Sequence, residues 1–364
     1  MDPRPSHFSQ SYREARSRFL RTAEARGARI QGRPIAARGA RGEELSVDTA
    51  YRGPDQPHCL VVISSGIHGV EGFAGSAIQH QLLAEQWDGL DLPRDTGLLL
   101  VHAVNPYGFA ELRRVNENNV DLNRNFLGHP NEHAANPSYE ELFQAINPET
   151  LDEEADRRSR EVLLAWAGEH GFPALQAALS VGQYRHPQGV QFGGGEAEAS
   201  NRLLREITRD ETRGARKIAW LDVHTGLGPS GEVELISEAE PDDPGFVRGQ
   251  AWYGEAAKST ATGESVSAKL QGVMERGVSE SLDPECDLTI FGAEFGTYDP
   301  TRVFWAMRAE NWLHHRGEAD SEHGRAVKTE LLEVFRPDSR EWEERVLRGG
   351  ADLIQKARGG LASS

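Results

Sequence analysis

A histidine and a glutamate three residues apart follow a short apolar run in Gly66-Ile-His68-Gly-Val-Glu71-Gly72. An imidazole nitrogen on a loop and a carboxylate on the first turn of a helix can converge on one cation, and that donor pair suits Zn²⁺. The spacing alone carries little weight, because His315 and Glu318 repeat it in the C-terminal part of the chain. A second histidine changes the balance. Leu221-Asp-Val-His224-Thr-Gly226 places His224 at the end of another apolar run, and ligands of open α/β sheets bind at the carboxyl ends of strands. His68, Glu71 and His224 together make the three-protein-ligand set of a catalytic zinc, with a fourth position left for water.

The elements that must position these residues are legible as alternations of apolar runs and helical spacing. Cys59-Leu-Val-Val-Ile63, closed by Ser64-Ser65-Gly66, is short, apolar and bounded by turn residues, the pattern of a buried central strand. Gly97–Val104 and Lys217–Val223 read the same way, and Glu232–Ile236 and Leu288–Phe295 add two more candidate strands. Between the first two, Glu71–Trp87 carries Phe73, Ala77, Ile78, Leu82 and Leu83 at helical spacing. Strand, helix, strand implies a right-handed crossover and a largely parallel sheet. The first 45 residues are Arg-rich, with a helical pattern over Tyr12–Ala25. Residues 127–215 are charged and mostly helical by pattern (Glu149–Glu169, then Glu196–Arg213), which reads as an insertion packed against the sheet. Residues 300–358 read as two or three C-terminal helices. One domain over residues 1–364 is the expected organisation.

The second strand leads into Asn105-Pro-Tyr-Gly-Phe109, then Arg113-Arg114-Val-Asn116, then Val120-Asp121-Leu-Asn123-Arg124-Asn125-Phe126. With His68, Glu71 and His224 around it, this segment resembles the zinc carboxypeptidase superfamily, most nearly its bacterial cytosolic branch similar to murein-peptide amidases. The resemblance implies a three-layer α/β/α sandwich with a mixed, largely parallel sheet. It implies one Zn²⁺ per chain on His68, Glu71 and His224, with Asp121 fixing the tautomer of His68, as metal-bound imidazoles require. Arg114 would hold the scissile carbonyl and its developing oxyanion, with Arg113 as the rival for that role. Asn123 and Arg124 would dock a substrate carboxylate, which a planar guanidinium grips in bidentate fashion. The general base falls to Glu294, an isolated carboxylate in the apolar stretch Phe291-Gly-Ala-Glu294-Phe-Gly, where an acid is costly unless paired or functional. The chain departs from the family in one respect. The family's substrate-capping Tyr on the loop before the base strand has no counterpart, since no Tyr lies between Gly254 and Phe291, and Tyr253, Tyr298 and Tyr184 are the available substitutes.

Composition narrows the remaining classes. The formal net charge of −17 repels phosphate backbones and anionic lipid, which counts against nucleic acid or a membrane surface as partner. Two cysteines, Cys59 and Cys286, exclude a disulfide framework. The first residues lack a signal-peptide apolar segment and no apolar run approaches about 18 residues, so a cytoplasmic location is expected. Gly226-Leu-Gly-Pro-Ser-Gly231 spells a dinucleotide fingerprint, but a strand pattern follows it where the fingerprint needs a helix. The expectation is therefore a zinc-dependent hydrolase of amide bonds in small peptides or N-acylated amino acids with a free carboxylate. Two rivals stand beside it: an N-acyl amino-acid deacylase of the aspartoacylase or succinylglutamate desuccinylase type, and a catalytically silent zinc-binding module, which would have no use for Glu294.

Overall fold

Residues 6–363 are described in a computed structural model of the chain. In chain order its strands are β1 (Arg29–Arg38), β2 (Glu44–Arg52), β3 (Cys59–Ser65), β4 (Thr96–His102), β5 (Lys217–Gly226), β6 (Val233–Ser237), β7 (Ala257–Ser259) and β8 (Asp287–Gly296). They form one sheet in the order β1-β2-β4-β3-β5-β8-β6-β7. The four central strands β4, β3, β5 and β8 are mutually parallel, β1, β2 and β6 join antiparallel, and β7 pairs parallel with β6. The helices are α1 (Tyr12–Ala25), α2 (Gly72–Gln81), α3 (Pro106–Ala110), α4 (Pro137–Ile146), α5 (Glu153–His170), α6 (Phe172–Ser180), α7 (Ala199–Glu211), α8 (Pro244–Tyr253), α9 (Met274–Ser279), α10 (Pro300–Arg316), α11 (Glu322–Phe335) and α12 (Arg340–Ser363).

The period of two along a strand divides the apolar runs between two layers. Val61 and Ile63 of β3, Leu98 and Leu100 of β4, and Ala219, Leu221 and Val223 of β5 face one core, shared with Phe19 of α1, Phe73 of α2 and Trp342, Leu353 and Ile354 of α12. Leu60, Val62, Leu99, Val101, Ile218 and Trp220 face the other, shared with Leu204 and Ile207 of α7 and Val278 of α9. The expected α/β/α sandwich with a mixed, largely parallel sheet is the observed fold. Trp220 is fully buried and its indole N–H donates to Ser64 Oγ at 2.8 Å; truncating such a residue to Ala typically costs about 3–5 kcal/mol. A third cluster lies apart from the sheet, formed by Tyr139, Leu142 and Ile146 of α4 with Leu163 and Trp166 of α5 and Ala178 of α6. Phe304 and Trp305 of α10 pack against it.

The expected strands at 59, 97, 217, 232 and 288 and the helix after Glu71 all form, the last continuing past α2 through a π turn at Leu82–Gln86. Sequence periodicity missed β1 and β2. The first is an edge strand with only Ile35 buried, so it shows no clean alternation. The second buries Ser46 and Asp48 because distant partners satisfy them: Tyr12 bonds the Ser46 backbone, and Arg16 pairs with Asp48 at 2.6 Å.

Candidate metal centre

The chain leaves β3 to one side for β4 and crosses back to the other side for β5, so β3 and β5 flank a topological switch point, where such sheets bind ligands. Gly66, at φ +68°, makes the turn out of β3, a left-handed conformation that favours glycine. Asn105 N–H bonds Gly66 O, while Gly69 and Val70 N–H bond the carbonyls of Arg114 and Arg113. A Cβ on Gly69 would lie 2.0 Å from the Gly108 carbonyl carbon, so the His68 loop can approach α3 this closely only through glycine. On the far side of the switch point, His224 lies inside β5, paired in register with Glu294 of β8.

This frame brings the expected ligands together. One donor atom from each of His68, Glu71 and His224 lies within 4.8 Å of the others, and all three residues are buried. The Nδ1 atoms of the two histidines are 3.3 Å apart; Glu71 Oε1 is 3.0 Å from His68 Nδ1, and Glu71 Oε2 is 3.2 Å from His224 Nδ1. Each Nε2 turns away towards a different acid. His68 Nε2 is 3.1 Å from Asp121 Oδ1, the expected partner. His224 Nε2 is 2.7 Å from Asp222 Oδ2, a buried oxygen that takes no formal hydrogen bond, while Ser64 Oγ donates to Asp222 Oδ1 at 2.6 Å. With Nε2 turned to carboxylates, both Nδ1 atoms face inward, where loss of a proton leaves a lone pair for a cation. The nitrogen, nitrogen, carboxylate set fits a zinc ion.

The charges are mutually dependent. Burial opposes ionisation of Glu71, but His68, His224 and Arg114 outweigh it and hold the carboxyl below the ordinary range. Burial likewise opposes charge on His224, yet Asp222 and Glu71 hold its imidazole well above the usual value. Asp121, which burial would neutralise, stays well below its ordinary pKa through Arg114, Arg124 and His68.

The ligand set forms part of the wall of a cavity of about 1100 Å³, lined also by Arg114, Asn123, Arg124 and Glu294. Arg114 donates from Nε to Glu71 Oε1 at 3.3 Å and from Nη1 to Asp121 and Gln191, and its Nη2 makes no hydrogen bond among the described residues. Arg113 does not line the cavity. It is fully buried, pairing with Glu310 at 2.7 Å and Asn119 at 2.8 Å, so of the two neighbours only Arg114 reaches the site. Glu294 Oε1 accepts from Leu227 N–H at 2.7 Å. Burial, then the charge of Glu71, push its carboxyl up to about 7. Asn123 Oδ1 accepts from Met274 N–H at 2.8 Å. Arg124, buried, donates to Ser180 O from Nε and Nη2 and to Asn123 O from Nη1, and forms no ion pair with any described carboxylate. Three of its five N–H groups are thereby used and two remain. Of the three tyrosines, only Tyr298 lines the cavity, and its hydroxyl donates to Glu333; Tyr184 donates to Arg124 O, and Tyr253 is buried in the core.

Two site residues were assigned no role from the sequence. Asp222 was findable, since it stands two residues before His224 and therefore on the same face of β5. Gln191 was not: a residue at φ +60° in a loop, it reaches Arg114 only through the fold.

A family model described as "Protein of unknown function (DUF2817)" matches residues 8–349. The chain belongs to that family. No curated protein matches the chain in sequence. Among solved structures similar to this DUF2817 chain, the carboxypeptidase A of Helicoverpa armigera is 12% identical with a TM-score of 0.46, covering 91% of this chain and 75% of its own. A metallo-carboxypeptidase of Pseudomonas aeruginosa, in complex with (2-guanidinoethylmercapto)succinic acid, is 16% identical with a TM-score of 0.40, covering 93% and 69%. A Shewanella amazonensis protein named for the succinylglutamate desuccinylase/aspartoacylase family is 20% identical with a TM-score of 0.37, covering 79% and 73%. At these scores none of them assigns a role to a residue of the DUF2817 chain. No helix among the described residues is long and apolar enough to cross a membrane.

Proposed function

We propose that this protein is a zinc-dependent hydrolase of amide bonds in small substrates that carry a free carboxylate. One observation carries the reading: two histidines and a glutamate converge through Nδ1, Nδ1 and carboxylate on the wall of a cavity, each imidazole backed by its own acid. His68, Glu71 and His224 would hold the ion. When bound, zinc supplies Lewis acidity and lowers the pKa of a water towards about 7.

The other residues perform the remaining steps. Glu294, fixed by Leu227 N–H, takes a proton from the attacking water and delivers it to the leaving amine, so that water adds across the C–N bond and an acid and an amine are released. The unused Nη2 donors of Arg114 hold the carbonyl oxygen as it gains negative charge, a role in which one positioned donor is worth roughly 100-fold or more in rate. Arg124 and the free amide NH₂ of Asn123 receive the substrate carboxylate, away from the bond that breaks.

The test is metal content with turnover. Protein purified without added metal should contain one zinc per chain and hydrolyse N-acylated amino acids, and His224→Ala should lose both. Stoichiometric zinc persisting in a His68→Ala, His224→Ala double variant would end the proposal.

A further inference from the structure

Gln191 borders the same cavity and has no part in the steps above. It is 8% exposed, it lines the cavity wall, and its Oε1 accepts from Arg114 Nη1 at 3.1 Å. That contact fixes which way the amide faces. An NH₂ turned towards the guanidinium would set donor against donor, so the two N–H groups of Gln191 point away from Arg114. Its Nε2 makes no hydrogen bond with any described residue.

The backbone is strained to hold this side chain in place. Gln191 stands at φ +60°, a conformation that glycine adopts freely and a long side chain does not. Bonds on either side enforce it. Val190 N–H donates to Asn147 Oδ1 at 2.9 Å, and Val190 O accepts from the Tyr139 hydroxyl at 2.7 Å. Gln191 O accepts from Gln183 N–H at 3.0 Å, and Phe192 O accepts from Asp121 N–H at 2.7 Å. The last bond ties the loop to the acid that backs His68 and pairs with Arg114. A turn alone would be served better by glycine. Here the strain is kept together with a polar side chain on a cavity wall, as at residues that meet a ligand.

Resting on the hydrolase reading above, we propose that Gln191 is a second donor to the carbonyl oxygen of the bond that breaks, beside Arg114 Nη2. The charge of Arg114 is already shared between Glu71 and Asp121, so the guanidinium meets that oxygen as a hydrogen-bond donor more than as a net cation. A neutral, oriented amide adds a second bond there. That bond strengthens as the oxygen gains negative charge, and the amide needs no reorganisation to make it.

The experiment compares the zinc-loaded wild type with Gln191→Gly and Gln191→Glu. Glycine suits φ +60°, so the first variant should keep the fold, which thermal unfolding checks. Each form is assayed on N-benzoylglycyl-phenylalanine. Calorimetry then measures binding of the phosphonate analogue, whose tetrahedral phosphorus stands for the attacked carbon, and of free phenylalanine. Gln191→Gly should lose about 100-fold in kcat with KM little changed, the low end for one such donor. The phosphonate should weaken by the same factor as kcat/KM, while phenylalanine, which uses only the Arg124 corner, should bind all three forms alike. Gln191→Glu keeps the size and the contact to Arg114 but has no N–H, and should fall at least as far as the glycine variant. Wild-type kcat in Gln191→Glu would mean that Gln191 only steadies Arg114, and would overturn the donor role. Phosphonate binding that is absent from the wild type, or indifferent to both substitutions, would overturn it whatever the turnover. Phosphonate binding that depends on Gln191 in a protein that hydrolyses no amide substrate would leave the donor standing and sink the hydrolase reading.

Discussion

The two sides of the cavity are built on opposite principles. On the sheet side, at the ends of β3, β5 and β8, the ionisable groups of the candidate metal centre are held by named partners: His68 by Asp121, His224 by Asp222, Asp222 by Ser64, and Glu294 by Leu227 N–H. The opposite wall comes from α5, α6 and α10 and presents Leu164, Phe172, Phe304 and Trp305. There Leu164 is 59% exposed and Phe172 68% exposed. Directional contacts fix position, and apolar contact area adapts to shape. In the proposed reaction the chemistry falls on the side held by directional contacts, and the exposed Leu164 and Phe172 of the other wall are the side chains left to adapt to a substrate.

The sharpest way to break this division is at the base. Glu294→Gln keeps size and an acceptor for Leu227 N–H but cannot take a proton. It should keep fold and zinc while losing at least about 100-fold in kcat. In the wild type, kcat/KM should climb with pH through an acid limb at or below about 7, because Glu294 works only when ionised, its carboxyl stands at about 7 without a cation, and a nearby cation pulls that value down. The variant should lack the limb. An unchanged kcat would place the base elsewhere.

A smaller loss is expected at Arg124, still on the rigid side but away from the breaking bond. Arg124→Ala should cost about 1.5–3 kcal/mol in kcat/KM on a free-acid substrate, the range for a hydrogen bond to a charged group. The amidated analogue, which never uses the contact, should hardly respond. Wild-type protein that turns over acid and amide equally would remove the docking role.

The smallest effect belongs to the adaptable wall. Phe172→Ser should shift unfolding free energy by no more than about 0.5 kcal/mol, as for exposed positions generally. It should nevertheless lower kcat/KM several-fold for substrates with bulky apolar acyl groups and leave acetylated ones alone. A stability loss well beyond that range would show the wall to be structural core, and the contrast between the two sides would fade.

The same contrast decides what could be read from the chain. His68, Glu71 and His224 were legible because each stands at the end of a continuous apolar run, where strand geometry dictates where side chains go. Arg124 needed the resemblance to a known superfamily, since a lone arginine has no local signature, whereas Glu294 also stood out as an isolated carboxylate in an apolar stretch. Gln191 was invisible: it is an ordinary polar residue in sequence, and its place beside Arg114 depends on Tyr139 and Asn147 pinning its loop. The strand β2 failed for a related reason, because the partners that make Ser46 and Asp48 buriable lie on α1.

The pairing of His224 with Glu294 across β5 and β8 works as a ruler. Adjacent strands run about 4.8 Å apart, and side chains alternate faces with a period of two. The gap between His224 and Glu294 is then a property of the hydrogen-bonded ladder, indifferent to loop length. A single codon inserted between Phe291 and Glu294 would turn Glu294 into the layer occupied by Ala293 and Phe295 and turn the fully buried Phe295 out of its core, so the proposed base and the packing of β8 would be lost together.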